Sequence, residues 1–134
     1  MKDEPKDIDH ADLIEMDFLE KVMGRLPCDV DVLEALGDLY TRVGRYEDGL
    51  ALDRKMAELE PNDMTIWYNL GCSLALLNQR ESALQALKRA IELGYADYEW
   101  MNRDNDLQSL REDRDFISLL KGISPVVPQD KHEA

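Results

Sequence analysis

Cysteine and histidine are nearly absent from this chain, two of each in 134 residues, and their scarcity closes several routes to chemistry at once. Cys28 and Cys72 have no companion thiol or nearby histidine at metal-ligand spacing, so neither a disulfide framework nor a zinc site is indicated, and both read as free thiols. His10 and His132 lie near opposite termini, so no triad can be built on either. No glycine-rich phosphate loop is present, which removes nucleotide hydrolysis. No apolar run approaches the roughly 18 residues that span a bilayer, and the charged start is unlike a signal sequence; together these predict a soluble, cytoplasmic protein. Basic residues are outnumbered, 16 against 29 acidic ones, for a net charge of −13. Binding to nucleic acid rests on Lys and Arg neutralising phosphates, so that class and anionic membranes are both disfavoured. A basic protein or peptide would instead be drawn toward the chain.

What is present is an internal rhythm. Pro27 and Pro61 stand 34 residues apart, and at the same interval Leu33 returns as Trp67, Leu36 as Leu70, Gly37 as Gly71, Gly49 as Ala83, Leu50 as Leu84 and Leu59 as Leu93. A period of this length is the signature of stacked helix pairs. Val, Ile and Thr are sparse and nowhere alternate with polar residues, so no strand is expected.

A first helix is predicted from Asp9, which can cap it, to the Gly24–Pro27 region, its apolar residues spread widely enough to contact two neighbours. Further helices are expected over 31–43, stopped by Gly44, and over 46–59, stopped at Pro61, with Asn62 or Asp63 capping the next. The cycle then repeats over 64–77 and 80–93, where Asn78 takes the left-handed stop. Gly37, Gly49 and Gly71 sit inside helices, where glycine costs about 0.8–1 kcal/mol relative to alanine. Close approach of neighbouring helices offsets that, with Gly37 expected against Gly49 and Gly71 against Ala83. Asp53 departs from the pattern by standing where the second repeat has Leu87.

Leu33-x2-Leu36-Gly37-x2-Tyr40 followed by Gly49, Leu50 and Pro61, then Trp67-x2-Leu70-Gly71 followed by Ala83, Leu84, Leu87 and Ala90, resembles the tetratricopeptide repeat, whose period is 34 and whose signature is Trp-x2-Leu-Gly. The resemblance implies an all-α, right-handed α-solenoid of antiparallel helix pairs, about six to seven helices in all. It divides the chain into a flexible N-terminus at 1–8 and a single domain at 9–121. That domain holds a half-repeat helix (9–26), two repeats (30–63 and 64–97) and capping helices (98–121), and a flexible tail follows at 122–134. Beyond residue 97 the register fails, and 98–121 resembles the segment that closes many such arrays, with Trp100, Met101, Leu107, Leu110, Phe116, Ile117, Leu119 and Leu120 covering the last apolar face. Trp67 is expected as a buried anchor between helix pairs.

In such arrays the first helix of each pair lines a concave groove. The resemblance therefore places Asp31, Glu34, Asp38 and Thr41 beside Thr65, Tyr68, Asn69, Cys72 and Ala75 as candidate partner-binding residues, an acidic surface with Tyr68 as a flat contact. A subclass of the family grips a carboxylate terminus with Lys, Asn and Arg. Asn69 and Arg103 could match two of these, but Glu34 and Asp38 would repel the ligand. Asp104 and Asp106 lack the glycine and closing Glu of a calcium loop, and read as a turn and a helix cap. The expected function is protein–protein interaction through the groove, with a secretion-type chaperone or self-associating scaffold as the alternative. No catalytic residue, cofactor or metal is assigned, and a homo-oligomer stays open.

Overall fold

A computed structural model describes residues 9–123; the expected flexible segment at 1–8 and, of the tail expected at 122–134, residues 124–134 lie outside them, while Gly122 and Ile123 belong to the last helix and not to a tail. Seven α-helices run in order: α1 (His10–Arg25), α2 (Val30–Arg42), α3 (Tyr46–Leu59), α4 (Met64–Leu76), α5 (Arg80–Glu92), α6 (Tyr98–Arg103) and α7 (Arg114–Ile123), with a 3-10 turn, Asn105–Leu110, between the last two. No strand occurs among the described residues.

The repeat is visible first in the caps. Asp29, Asp63 and Asp97, spaced at the same interval as the prolines, each accept a backbone N–H at the start of α2, α4 and α6. Each satisfies donors that the first helical turn leaves free. Asp9 caps α1 through the amide of Ala11. Gly44 and Asn78 end α2 and α4 with positive φ, 87° and 59°, the left-handed stops the sequence predicts.

Consecutive helices pack antiparallel from α1 to α5, an α-solenoid built on Leu33, Leu36, Leu39, Leu70, Leu74, Leu87 and Ala90, all buried. Full burial of each such leucine contributes about 1.5–3 kcal/mol. The chain then folds back. The 3-10 turn packs on α4, while α7 packs on α5 and α6, so Met101, Leu107, Leu110, Phe116 and Leu120 close the distal face. Trp100 and Ile117 stay exposed, a correction to their expected burial. Two arginines pin the closure. Arg111 donates to the carbonyls of Met101, Asn102 and Asp104, and Arg80 on α5 grips Asp113 and Asp115 at the start of α7.

The opposite end is open. By the repeat interval Phe18 stands where Leu52 and Ala86 stand, positions buried within their own helix pairs. α1 packs on α2, and no described helix covers its other side, so Ile14 and Phe18 are about three-fifths exposed. The expected second neighbour of α1 is not among the described residues. Trp67 is only partly buried, its indole N–H donating to the Pro61 carbonyl at 2.8 Å, which corrects its expected role as a buried anchor.

The three helical glycines are not equivalent. A Cβ on Gly49 would lie 3.5 Å from the Gly37 carbonyl and 3.1 Å from the Thr41 hydroxyl, the close approach expected. At Gly71 the intruder is Leu87, at 2.7 Å, more than Ala83, whose carbonyl lies at 3.4 Å. At Gly37 the corresponding neighbour is Asp53, and the nearest atoms are 3.8–4.0 Å away, ordinary contact. The shorter Asp53 leaves slack where Leu87 fills the gap. Gly71→Ala is therefore expected to destabilise, overpacking of about 1–3 kcal/mol outweighing the gain in helix propensity. Gly37→Ala should hold or raise the melting midpoint, and thermal unfolding of both variants checks the contrast.

Candidate protein-interaction face

The first helices α2 and α4 carry the nine residues expected to line the concave face, and the structure sorts them into two groups. Asp31, Glu34, Asp38 and Thr65 are exposed, and Thr41 and Asn69 are half-buried. Tyr68, Cys72 and Ala75 are buried, because the chain's own closing segment lies against that side of α4. Tyr68 stacks on Tyr95 with ring centroids 4.4 Å apart, and its hydroxyl donates to Asp104 at 2.5 Å. The Cys72 thiol donates to the same carboxylate at 3.7 Å, and the Ser109 hydroxyl donates to the Ala75 carbonyl at 3.0 Å. Tyr68, expected as a flat contact for a partner, is already occupied as an internal one.

Asp104 does more than the turn and cap expected of it. One oxygen caps the 3-10 turn through the amide of Asp106, and the other takes Tyr68 and Cys72, so a 6 % exposed carboxylate joins α4 to the closing segment. Cys72, Asp104 and Asp106 bring ligand atoms within 4.8 Å of one another. A metal there would have to displace the protons that Tyr68 and Cys72 direct at Asp104, and the arrangement is explained as an internal hydrogen-bond network. Burial and the charges of Asp104 and Asp106 push the Cys72 thiol well up, the reverse of what a nucleophilic cysteine needs. Cys28 is exposed and also unpaired.

The open half of the face contains a polar cleft of about 290 Å³ between α2, α3 and α4, walled by Gly37, Asp38, Thr41, Asn69 and Ser73, with Asp106 across from them. At its floor lies Asp53, 8 % exposed, which accepts a hydrogen bond from the Ser73 hydroxyl. Burial raises the Asp53 carboxyl to about 6; the Ser73 hydrogen bond opposes that rise, and the charges of Asp38 and Glu34 add to it. Burial likewise raises Asp38, against the pull of Arg42. Arg42 sits at the cleft with its guanidinium 3.0 Å from Asp12 on α1. Asp53, Ser73 and Asp106 were outside the candidate set. One signal for them was in plain view, a carboxylate at a position where the second repeat carries a core leucine.

Among known proteins, a tetratricopeptide-repeat family profile matches residues 65–93. The chain is 31 % identical over 107 residues to a chloroplastic protein of Arabidopsis thaliana, a match that covers 78 % of this chain and 31 % of that protein. It is 36 % identical over 74 residues to the peroxisomal targeting signal receptor of Eremothecium gossypii, covering 54 % of this chain and 13 % of the receptor. The chain thus spans less than a third of the length of these curated relatives. Among solved structures, MamA superimposes with a TM-score of 0.66 at 24 % identity, covering 82 % of this chain and 67 % of that one.

The raised Asp53 makes stability depend on pH with a definite sign. Its proton is held more tightly in the folded chain, at about 6, than at the ordinary 3.8, so its contribution favours folding at low pH and is lost as pH rises through about 6. Asp53→Asn keeps the shape and removes the buried charge. It should be more stable than the parent by about 1–3 kcal/mol at pH 7.5 and nearly equal at pH 4, as read from urea unfolding at the two pH values.

Proposed function

We infer, from the premise that this chain carries a tetratricopeptide-repeat domain, that it is a non-enzymatic protein-interaction module whose concave face receives a segment of another protein. The observation that carries this reading is the division of that face. Its distal half is filled by the chain's own residues 104–110, while the half bearing Asp31, Glu34, Asp38, Thr41 and Asn69 is left open. The open half is acidic, which favours a partner rich in Lys or Arg, both for the rate of encounter and for selection against acidic competitors. A relative named as a receptor for a targeting signal supports the recognition of protein segments. Two unpaired thiols favour a reducing compartment, and we place the protein in the cytoplasm on that ground.

A second reading, self-association, is favoured by a separate observation: Leu13, Ile14 and Phe18 stand exposed along α1, where the repeat register calls for a covering helix. Two copies meeting through α1 would bury these side chains. Phe18→Glu should convert any dimer to monomer in sedimentation velocity, whereas a parent chain that stays monomeric at high concentration refutes this reading.

The groove itself is tested by capture from a native cell extract. The double variant Glu34→Lys and Asp38→Lys reverses two exposed charges without touching the core. Proteins retained by the parent chain are expected to be lost by the variant, and their undiminished retention would rule out the concave face.

A further inference from the structure

The cleft above Asp53 has features that a merely solvated acidic surface lacks. Asp53 is more than nine-tenths buried, yet only one of its oxygens is satisfied: Ser73 donates to Oδ2, and no described group donates to Oδ1. That oxygen lies toward the bare backbone of Gly37, 3.9 Å from where a Cβ would stand, in the space that Leu87 fills in the following repeat. A buried carboxylate with an idle acceptor and no ion pair to any described cation is costly, and such a group is expected to find a partner. Of the charged groups lining the cleft, all but Arg42 are acidic. Glu34 and Asp38 approach from α2 and Asp106 from the 3-10 turn; Ser73, Cys72 and Asn69 on α4 are neutral; and the guanidinium of Arg42 is engaged by Asp12. At about 290 Å³ the cleft lies at the lower limit of small-molecule sites, a size suited to one side chain and not to a whole metabolite.

We propose that this cleft seats a single arginine or lysine side chain of the protein partner, its cationic head donating to Asp53 Oδ1 at the floor and to Asp38 at the wall. This rests on the concave face being the binding surface, and it names the chemistry read there. The seat follows from the exchange of leucine for aspartate in the first repeat: the missing side-chain volume makes the space, and the carboxylate selects what enters it. Because the cation binds the ionised carboxylate, occupancy draws a proton off Asp53, and affinity weakens as pH falls below about 6.

The test is a two-dimensional amide NMR titration of the whole chain with N-acetyl-arginine methylamide, N-acetyl-lysine methylamide and the uncharged N-acetyl-citrulline methylamide. At least one cationic probe should saturate, with shifts centred on residues 37–41, 53 and 69–73, and citrulline should not. Affinity should fall about tenfold between pH 7.5 and pH 5. Asp53→Asn, which keeps an acceptor for Ser73, should bind about tenfold more weakly at pH 7.5 and lose that pH dependence. Equal response to citrulline, failure of both cationic probes, or unchanged affinity in Asp53→Asn overturns the proposal. If the probes fail while the charge-reversed double variant still loses its captured partners, this seat is rejected and the concave face stands. If the variant keeps its partners, the broader reading falls whatever the probes do.

Discussion

No helix in this chain can bury its apolar side alone, and that constraint governs everything built on it. α2 offers Leu33, Leu36, Leu39 and Tyr40 to its neighbours, and α4 offers Leu70 and Leu74. An isolated helix of 13 residues is marginal in water, so each becomes stable only when the next one in line covers it. The 34-residue spacing keeps the covering surfaces in phase from pair to pair. Aspartates at 29, 63 and 97 begin the first helices at the same phase, so local capping and long-range packing agree about where each element starts.

A stack of this kind must end somewhere, and its two ends are handled differently. At the distal end the register is abandoned after residue 97, and a short helix, a 3-10 turn and α7 carry Met101, Leu107 and Phe116 into full burial. This closure reaches around to the side of α4 that bears the candidate residues, where Asp104 binds Tyr68 and Cys72. The element that seals the core thereby also covers part of the candidate face and leaves open the half bearing Glu34, Asp38 and Thr41. The proximal end leaves the outer side of α1 uncovered among the described residues, with Phe18 standing where Leu52 is buried one repeat later.

Most of the helix plan was legible because its determinants are local. Gly44 and Asn78 adopt the left-handed conformation at the positions where the pattern requires a stop, and Asp9 and Asp63 cap as their spacing suggests. Expectations failed where two distant segments had to be placed against each other. Trp67 occupies the same register position as the fully buried Leu33, yet its larger ring is only partly covered, because exposure depends on the neighbours that happen to flank it. Tyr68 and Cys72 lie on one side of α4, as helical spacing implies. Spacing carries no information about a segment more than thirty residues downstream that comes back to cover them.

From the order of residues alone came the all-helical class, the stacked pairs, the position of nearly every cap and stop, and the acidity of the candidate face. Periodicity and turn chemistry act over one or two helical turns, and charge simply adds up, so all of these can be read along a line. The tertiary structure decided which half of the candidate face stays open, which glycine is most crowded by a neighbouring side chain, and that Asp53 lies buried with one oxygen that no described group claims. Each of these depends on the distance between atoms far apart in the chain, and such distances are set only when packing chooses which side chain fills a gap and which leaves one.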